Sequence, residues 1–147
     1  MKVVVDTNIL YSALLSSKGK IGDLIFNPFQ IFQFHAIDFL KTEIEKHWPK
    51  LLHVSKIRET DLIERKEILC NQIKFINGFA LPQSIILQAE SLTSDIDPDD
   101  TLHVAATLYL KGILWTGDKK LLNGLRAKDF NDVMNTSDLW EIRNRTM

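Results

Sequence analysis

The chain has 147 residues, of which 45% are hydrophobic and 25% charged, a globular mixture with room for one core, so residues 1–147 are expected to form one domain. A formal net charge of −1 excludes a global basic field, and any nucleic-acid binding must rest on a local patch. A single cysteine, Cys70, excludes an internal disulfide and fits a reducing cytoplasm; no run approaches the roughly 20 apolar residues that span a bilayer, so no membrane association is expected.

The opening "MKVVVDTNIL" runs an all-apolar, β-branched strand, Val3 to Val5, straight into Asp6, Thr7 and Asn8. Such a strand is buried on both faces, as in a parallel sheet. A helix is predicted from Ile9 to Leu15, broken by Ser16 to Gly19, and a second from Ile21 to Phe26, stopped before Pro28. "IFQFHAI" (31–37) reads as a strand and "DFLKTEIEKHW" as a helix ended by Pro49. "SKIRETDLIERKEILCNQI" reads as one helix, with Leu62, Lys66, Leu69 and Ile73 along one stripe, and "QSIILQAESL" as another. "DIDPDDTLHVAATLYLKG" is the clearest helix, with Asp97 as N-cap, Pro98 as the first helical residue and Gly112 just beyond the end. "ILWTGD" repeats the opening pattern, an apolar strand that ends in an acid, Asp118. A short helix "KKLLNGL", a strand at Val133 and Met134 and a terminal turn of helix from Ser137 complete the chain. Strands alternating with helices predict an α/β fold with a mainly parallel sheet.

In open α/β sheets, sites form outside the carboxyl ends of the strands. Asp6 and Asp118 stand at such ends, Asp100 lies in the first turn of the helix that feeds the Asp118 strand, and Glu43 lies on the helix after the second strand. Two unit charges about 4 Å apart repel by about 4 kcal/mol at an effective dielectric of ~20. Convergence of these acids would therefore demand protons or a divalent cation, and all-oxygen ligands favour Mg²⁺ or Mn²⁺ over zinc. A hard cation so held suits phosphodiester cleavage. Five basic residues from Lys111 to Lys128, with Lys119 and Lys120 nearest Asp118, form a candidate strip for substrate phosphates. Each acid also has a plainer explanation, because Asp6, Asp97 and Asp118 are all placed to cap helices and acids in a first turn are stabilised by the helix dipole. Glu45 points roughly 200° away from Glu43 round the helix, towards solvent. A lone helical histidine such as His103 is more often structural, and Trp115 reads as core rather than as a stacking platform.

"VVVDTNIL", "FLKTEI", "DPDDTLHVAAT" and "LWTGDKKLL", in that order along nearly the whole chain, together resemble the PIN domain, the ribonuclease fold of VapC-type toxins and of several RNA-processing proteins. The resemblance implies a three-layer α/β/α fold and Mg²⁺- or Mn²⁺-dependent endoribonuclease activity. It implies an RNA substrate, and often a homodimer or a complex with an antitoxin protein. Its four acids fall on Asp6, Glu43, Asp100 and Asp118; Asp99 is the alternative to Asp100 by one residue, and a second-metal group if both serve. Asn8 and Thr116 occupy supporting positions, bonding backbone at turns or ordering a metal's water. "WTGD" is closer to the branch with Gly-Asp at this point than to toxins with Thr-Arg-Asn. Two rival classes stand beside this one. A haloacid-dehalogenase-type phosphatase also opens on a strand and an acid, but needs a second Asp where Asn8 stands. A PIN-like module that binds RNA or protein without catalysis is the other.

Overall fold

In a computed structural model, which describes residues 1–27 and 31–146, the chain forms an α/β fold around a five-stranded sheet. The strands are β1 (Lys2–Val5), β2 (Gln33–Ile37), β3 (Ile73–Ile76), β4 (Ile113–Trp115) and β5 (Val133–Met134), in the order β3-β2-β1-β4-β5. Every pairing is parallel, so all carboxyl ends lie at one edge.

Alternation along the strands builds two cores. Val3, Val5, Phe34, Ala36 and Trp115 face one side, against α1 (Thr7–Leu15), α2 (Gly19–Phe26), α3 (Phe39–Lys46), α4 (Trp48–Ser55), α5 (Glu59–Asn71) and α9 (Thr136–Thr146). Val4, Ile37, Leu114 and Val133 face the other, against α6 (Gln83–Thr93), α7 (Thr101–Leu110) and α8 (Lys119–Ala127). β1 runs down the middle with Val3, Val4 and Val5 all inaccessible to solvent, as its unbroken apolar run requires. Among the described residues no helix is long and apolar enough to cross a membrane.

Three expectations are corrected. The helix expected to end at Pro49 ends earlier, at Lys46, and Pro49 lies in the first turn of the next helix, α4, where a missing N–H costs nothing. The long helix expected to continue through Ile73 stops at Asn71, because Ile73 pairs with Phe34 as the first residue of β3; pairing with β2 outweighs the helical periodicity. Leu62 and Leu69 of the stripe are buried, whereas Lys66 is half-buried with its ammonium over the Trp48 ring. The terminal segment is a full helix rather than one turn, anchored where buried Arg143 pairs with Asp23 at 2.6 Å and donates to the Asn27 carbonyl. Pro28, the expected stop of α2, lies outside the described residues.

Candidate functional site

Asp6 follows β1 and caps α1. Its Oδ1 accepts from the Ile9 amide at 3.0 Å and its Oδ2 from the Thr116 hydroxyl at 2.5 Å, leaving the side chain 3% exposed. Thr116 stands at the end of the neighbouring strand β4, and its hydroxyl oxygen also accepts from the Asp118 amide at 3.1 Å. One hydroxyl therefore ties the strand-end acid of β1 to the turn that carries the strand-end acid of β4. Asp118 in turn caps α8, accepting from the Lys120 and Leu121 amides at 2.9 and 3.2 Å.

Capping bonds hold a carboxyl low, since they favour its charged form. Asp6 is nevertheless pushed above the usual carboxylate range. Burial is the main cause, Asp118 adds repulsion, and the Thr116 hydroxyl and Ile9 amide offset only part of it. Asp100, half-buried at the end of a single 3-10 turn over Pro98–Asp100, is pushed up to about 7 by burial and then by the charges of Asp97, Asp6, Asp118 and Asp99. Asp6, Asp97, Asp99, Asp100 and Asp118 make no ion pair among the described residues, so their repulsion goes uncompensated.

Beside them lies a cleft of about 620 Å³ lined by Thr7, Asn8, Glu43, Asp97, Asp99 and Asp100, with His103 at its wall. Glu43 reaches it from α3 but pairs with His47 at 3.2 Å. Asn8 is exposed at the mouth and Asp99 is exposed beside Asp100. The Asp97 side chain accepts from the Asp99 amide at 3.0 Å and so caps the 3-10 turn, not the α-helix expected to start at Pro98, which begins at Thr101. His103 is buried and held neutral, its pKa pushed down to about 4 by burial, with Nε2 3.3 Å from the Thr7 hydroxyl. That contact joins residues 96 apart in sequence and has no local signal. Among the described residues its Nδ1 has no hydrogen-bond partner. Trp115 is core, fully buried, with its indole N–H donating to the Thr136 hydroxyl.

The expected basic strip does not survive as one surface. Lys128 pairs with Asp95 and donates to the Leu92 carbonyl, and Arg126 pairs with Asp138 at 3.2 Å. Lys111 ends α7 and precedes β4, at the opposite edge of the sheet. Only Lys119 and Lys120, both exposed, stand beside Asp118.

The side chains whose charges act on Asp100, Asp6 and Asp118 among them, offer carboxylate oxygens, a donor type suited to a hard divalent cation. As the side chains stand, no group of three or more His, Cys, Asp or Glu among the described residues is arranged to hold one.

A comparison with curated proteins finds no match. The family profile of the PIN domain matches residues 4–142, from β1 into α9, a span that includes Asp6, Glu43, Asp100 and Asp118. PIN domains are generally nucleases and generally use divalent metal ions. With the profile covering nearly its whole length, the chain belongs to the PIN domain family.

Proposed function

We propose that this protein is an endoribonuclease that cleaves RNA phosphodiester bonds with Mg²⁺ or Mn²⁺. One observation carries the reading. Acids from the ends of β1 and β4 and from the start of α7 lie in one another's field, and Asp6 and Asp100 are raised, first by burial and then by the neighbouring charges. In this reading Asp6, Asp100 and Asp118 hold the ion, with Glu43 and Asp99 at its margin. A bound divalent ion supplies an activated water and stabilises charge at the transferring phosphorus.

The protein's own groups do the rest. The Thr116 hydroxyl and the Ile9 amide take one oxygen each of Asp6 and fix its carboxylate plane. Asp100, raised to about 7, would hold a proton that a bound cation displaces. Neutral His103 braces Thr7 at the cleft wall. Lys119 and Lys120 meet the substrate's phosphates, and Asn8 orders water at the mouth.

The experiment is incubation of purified protein with total RNA in Mn²⁺ or in EDTA. Cleavage in Mn²⁺ that EDTA stops supports the reading; RNA left intact at millimolar Mn²⁺ overturns it. The second reading, a PIN-like module that binds RNA or protein without cutting, draws on the spread of the acids, no three of which are arranged around one point among the described residues. Binding of RNA with no cleavage in either metal would select it. We further propose that the protein works in the cytoplasm as a homodimer, as the toxin of a toxin–antitoxin pair; a small neighbouring gene for a DNA-binding antitoxin that blocks cleavage is the check.

A further inference from the structure

A parallel sheet normally presents apolar residues on both faces. Here the amino-edge half of the face that carries α6 and α7 does not. Val4, Ile37 and Ile76 pack beneath the helices. Nearer the amino edge the same alternation brings Lys2 beside Gln33, and His35 beside Lys74. Lys2, Gln33, His35 and Lys74 line an open groove of about 780 Å³, together with Gln72 and with Tyr109 near the end of α7. No acid lines it among the described residues.

His35 is buried in the groove floor with its Nδ1 on the Gln33 carbonyl, and both Lys74 and Lys2 act on it as like charges, adding to its burial in pushing its pKa down. Lys111, outside the groove's lining, ends α7 at the same edge of the sheet. Its left-handed turn leads into Gly112, whose α-carbon lies so close to β1 that an added Cβ would fall 2.7 Å from the Lys2 carbonyl oxygen. Lys2, Lys74 and Lys111 make no ion pair among the described residues. In a chain of net charge −1, this is a concentrated positive surface, and it lies at the far edge of the sheet from the acids.

We propose that this groove binds a single-stranded segment of RNA, with Lys2 and Lys74 on its phosphates and Tyr109 under a base. The charge complementarity is to a polyanion, since Lys2 and Lys74 start from strands roughly 10 Å apart, two inter-strand spacings, and so reach more than one anionic group. The half-exposed Tyr109 ring selects RNA over an acidic peptide, because a base offers a face to stack on and a carboxylate does not. The proposal rests on the reading that RNA is the substrate, and places a second contact to it outside the acidic cleft.

The test is fluorescence anisotropy of a labelled single-stranded RNA oligonucleotide in EDTA, where no cleavage intervenes. Three proteins are compared: the parent, Lys2→Gln/Lys74→Gln, and Lys18→Gln/Lys56→Gln, which removes the same charge elsewhere. The groove variant should bind at least tenfold more weakly at low salt. Its log K against log salt should be shallower by about 1.4, the share of two phosphate contacts on a single strand. The control should follow the parent, and Tyr109→Ala should weaken binding about fivefold without changing the slope. Equal affinity and slope for groove variant and parent overturn the proposal, as does failure of the parent to bind, or stronger binding of poly-glutamate than of RNA. If the parent cuts RNA in Mn²⁺ and the groove variant binds as well as it does, the nuclease reading stands and the groove falls. If the parent never cuts yet the groove variant loses binding, the groove stands and the nuclease reading falls.

Discussion

At the carboxyl edge of the sheet Asp6, Asp100 and Asp118 crowd into one field, whereas at the amino edge Lys2 and Lys74 share a groove that no acid lines among the described residues. A parallel sheet sets this polarity in motion. Every strand ends at one edge, where a helix begins and its free amides and dipole favour acids, and every helix returns to the other edge, where its carbonyls favour lysines. Helix ends alone do not account for the extent of the sorting. Asp6 and Asp100 are raised, first by burial and then by their neighbours' charges, and at the other edge buried His35 sits on the strand between Lys2 and Lys74. The comparison teaches that the two edges are specialised beyond what folding asks of them.

The largest effect expected at the acidic edge is loss of cleavage. Asp6→Asn should lower Mn²⁺-dependent RNA cleavage by at least about a hundredfold, the scale for disturbing a metal site, while the melting temperature stays level or rises. Asparagine still caps α1 and a crowded anion is gone. A variant that cuts like the parent would erase the distinction between the two edges.

Next comes Thr116→Val, which removes a donor from Asp6 and an acceptor from the Asp118 amide. Chemical denaturation should show a loss of about 1–3 kcal/mol, the cost of orphaned buried groups, and Thr116→Ser should restore most of it.

The third expectation concerns pH. Asp100 titrates near 7 when folded against an ordinary 3.8, so between those values the native state holds a proton that the unfolded chain has lost. The contribution to stability is full below about 3.8 and falls away as pH rises through 7. Asp100→Asn should therefore flatten the melting temperature between pH 4 and pH 8. In the parent, Mg²⁺ or Mn²⁺ should raise the melting temperature more at pH 8 than at pH 6, since the ion competes with that proton. A metal shift of equal size at both pH values would separate Asp100 from the ion.

The smallest effect is expected from Lys119→Ala/Lys120→Ala. These exposed side chains should alter KM for RNA by a few fold with kcat retained, and the change should fade at high salt as the Debye length contracts. A fall in kcat instead would move them from phosphate contact to the chemistry.

Much of the fold and the acids was legible in the residue order because each signal is local. An apolar run leading into an acid marks a buried parallel strand at its carboxyl end, and it occurs twice, before Asp6 and before Asp118. Asp97 followed by Pro98 marks a helix start. These patterns rest on backbone propensity and side-chain period, which neighbouring residues settle among themselves.

What the tertiary structure decided is non-local. Ile73–Ile76 became a strand because β2 offered its edge, although the preceding helix gave no signal to stop. Thr7 met His103, and Asp6 met the Thr116 hydroxyl, across most of the chain. Which lysines stay free and which pair with Asp95 or leave the site altogether depends on where each helix ends in space. Charge counted along a chain says how much there is; only packing, through the steep dependence of Coulomb energy on distance and burial, decides which charges act together.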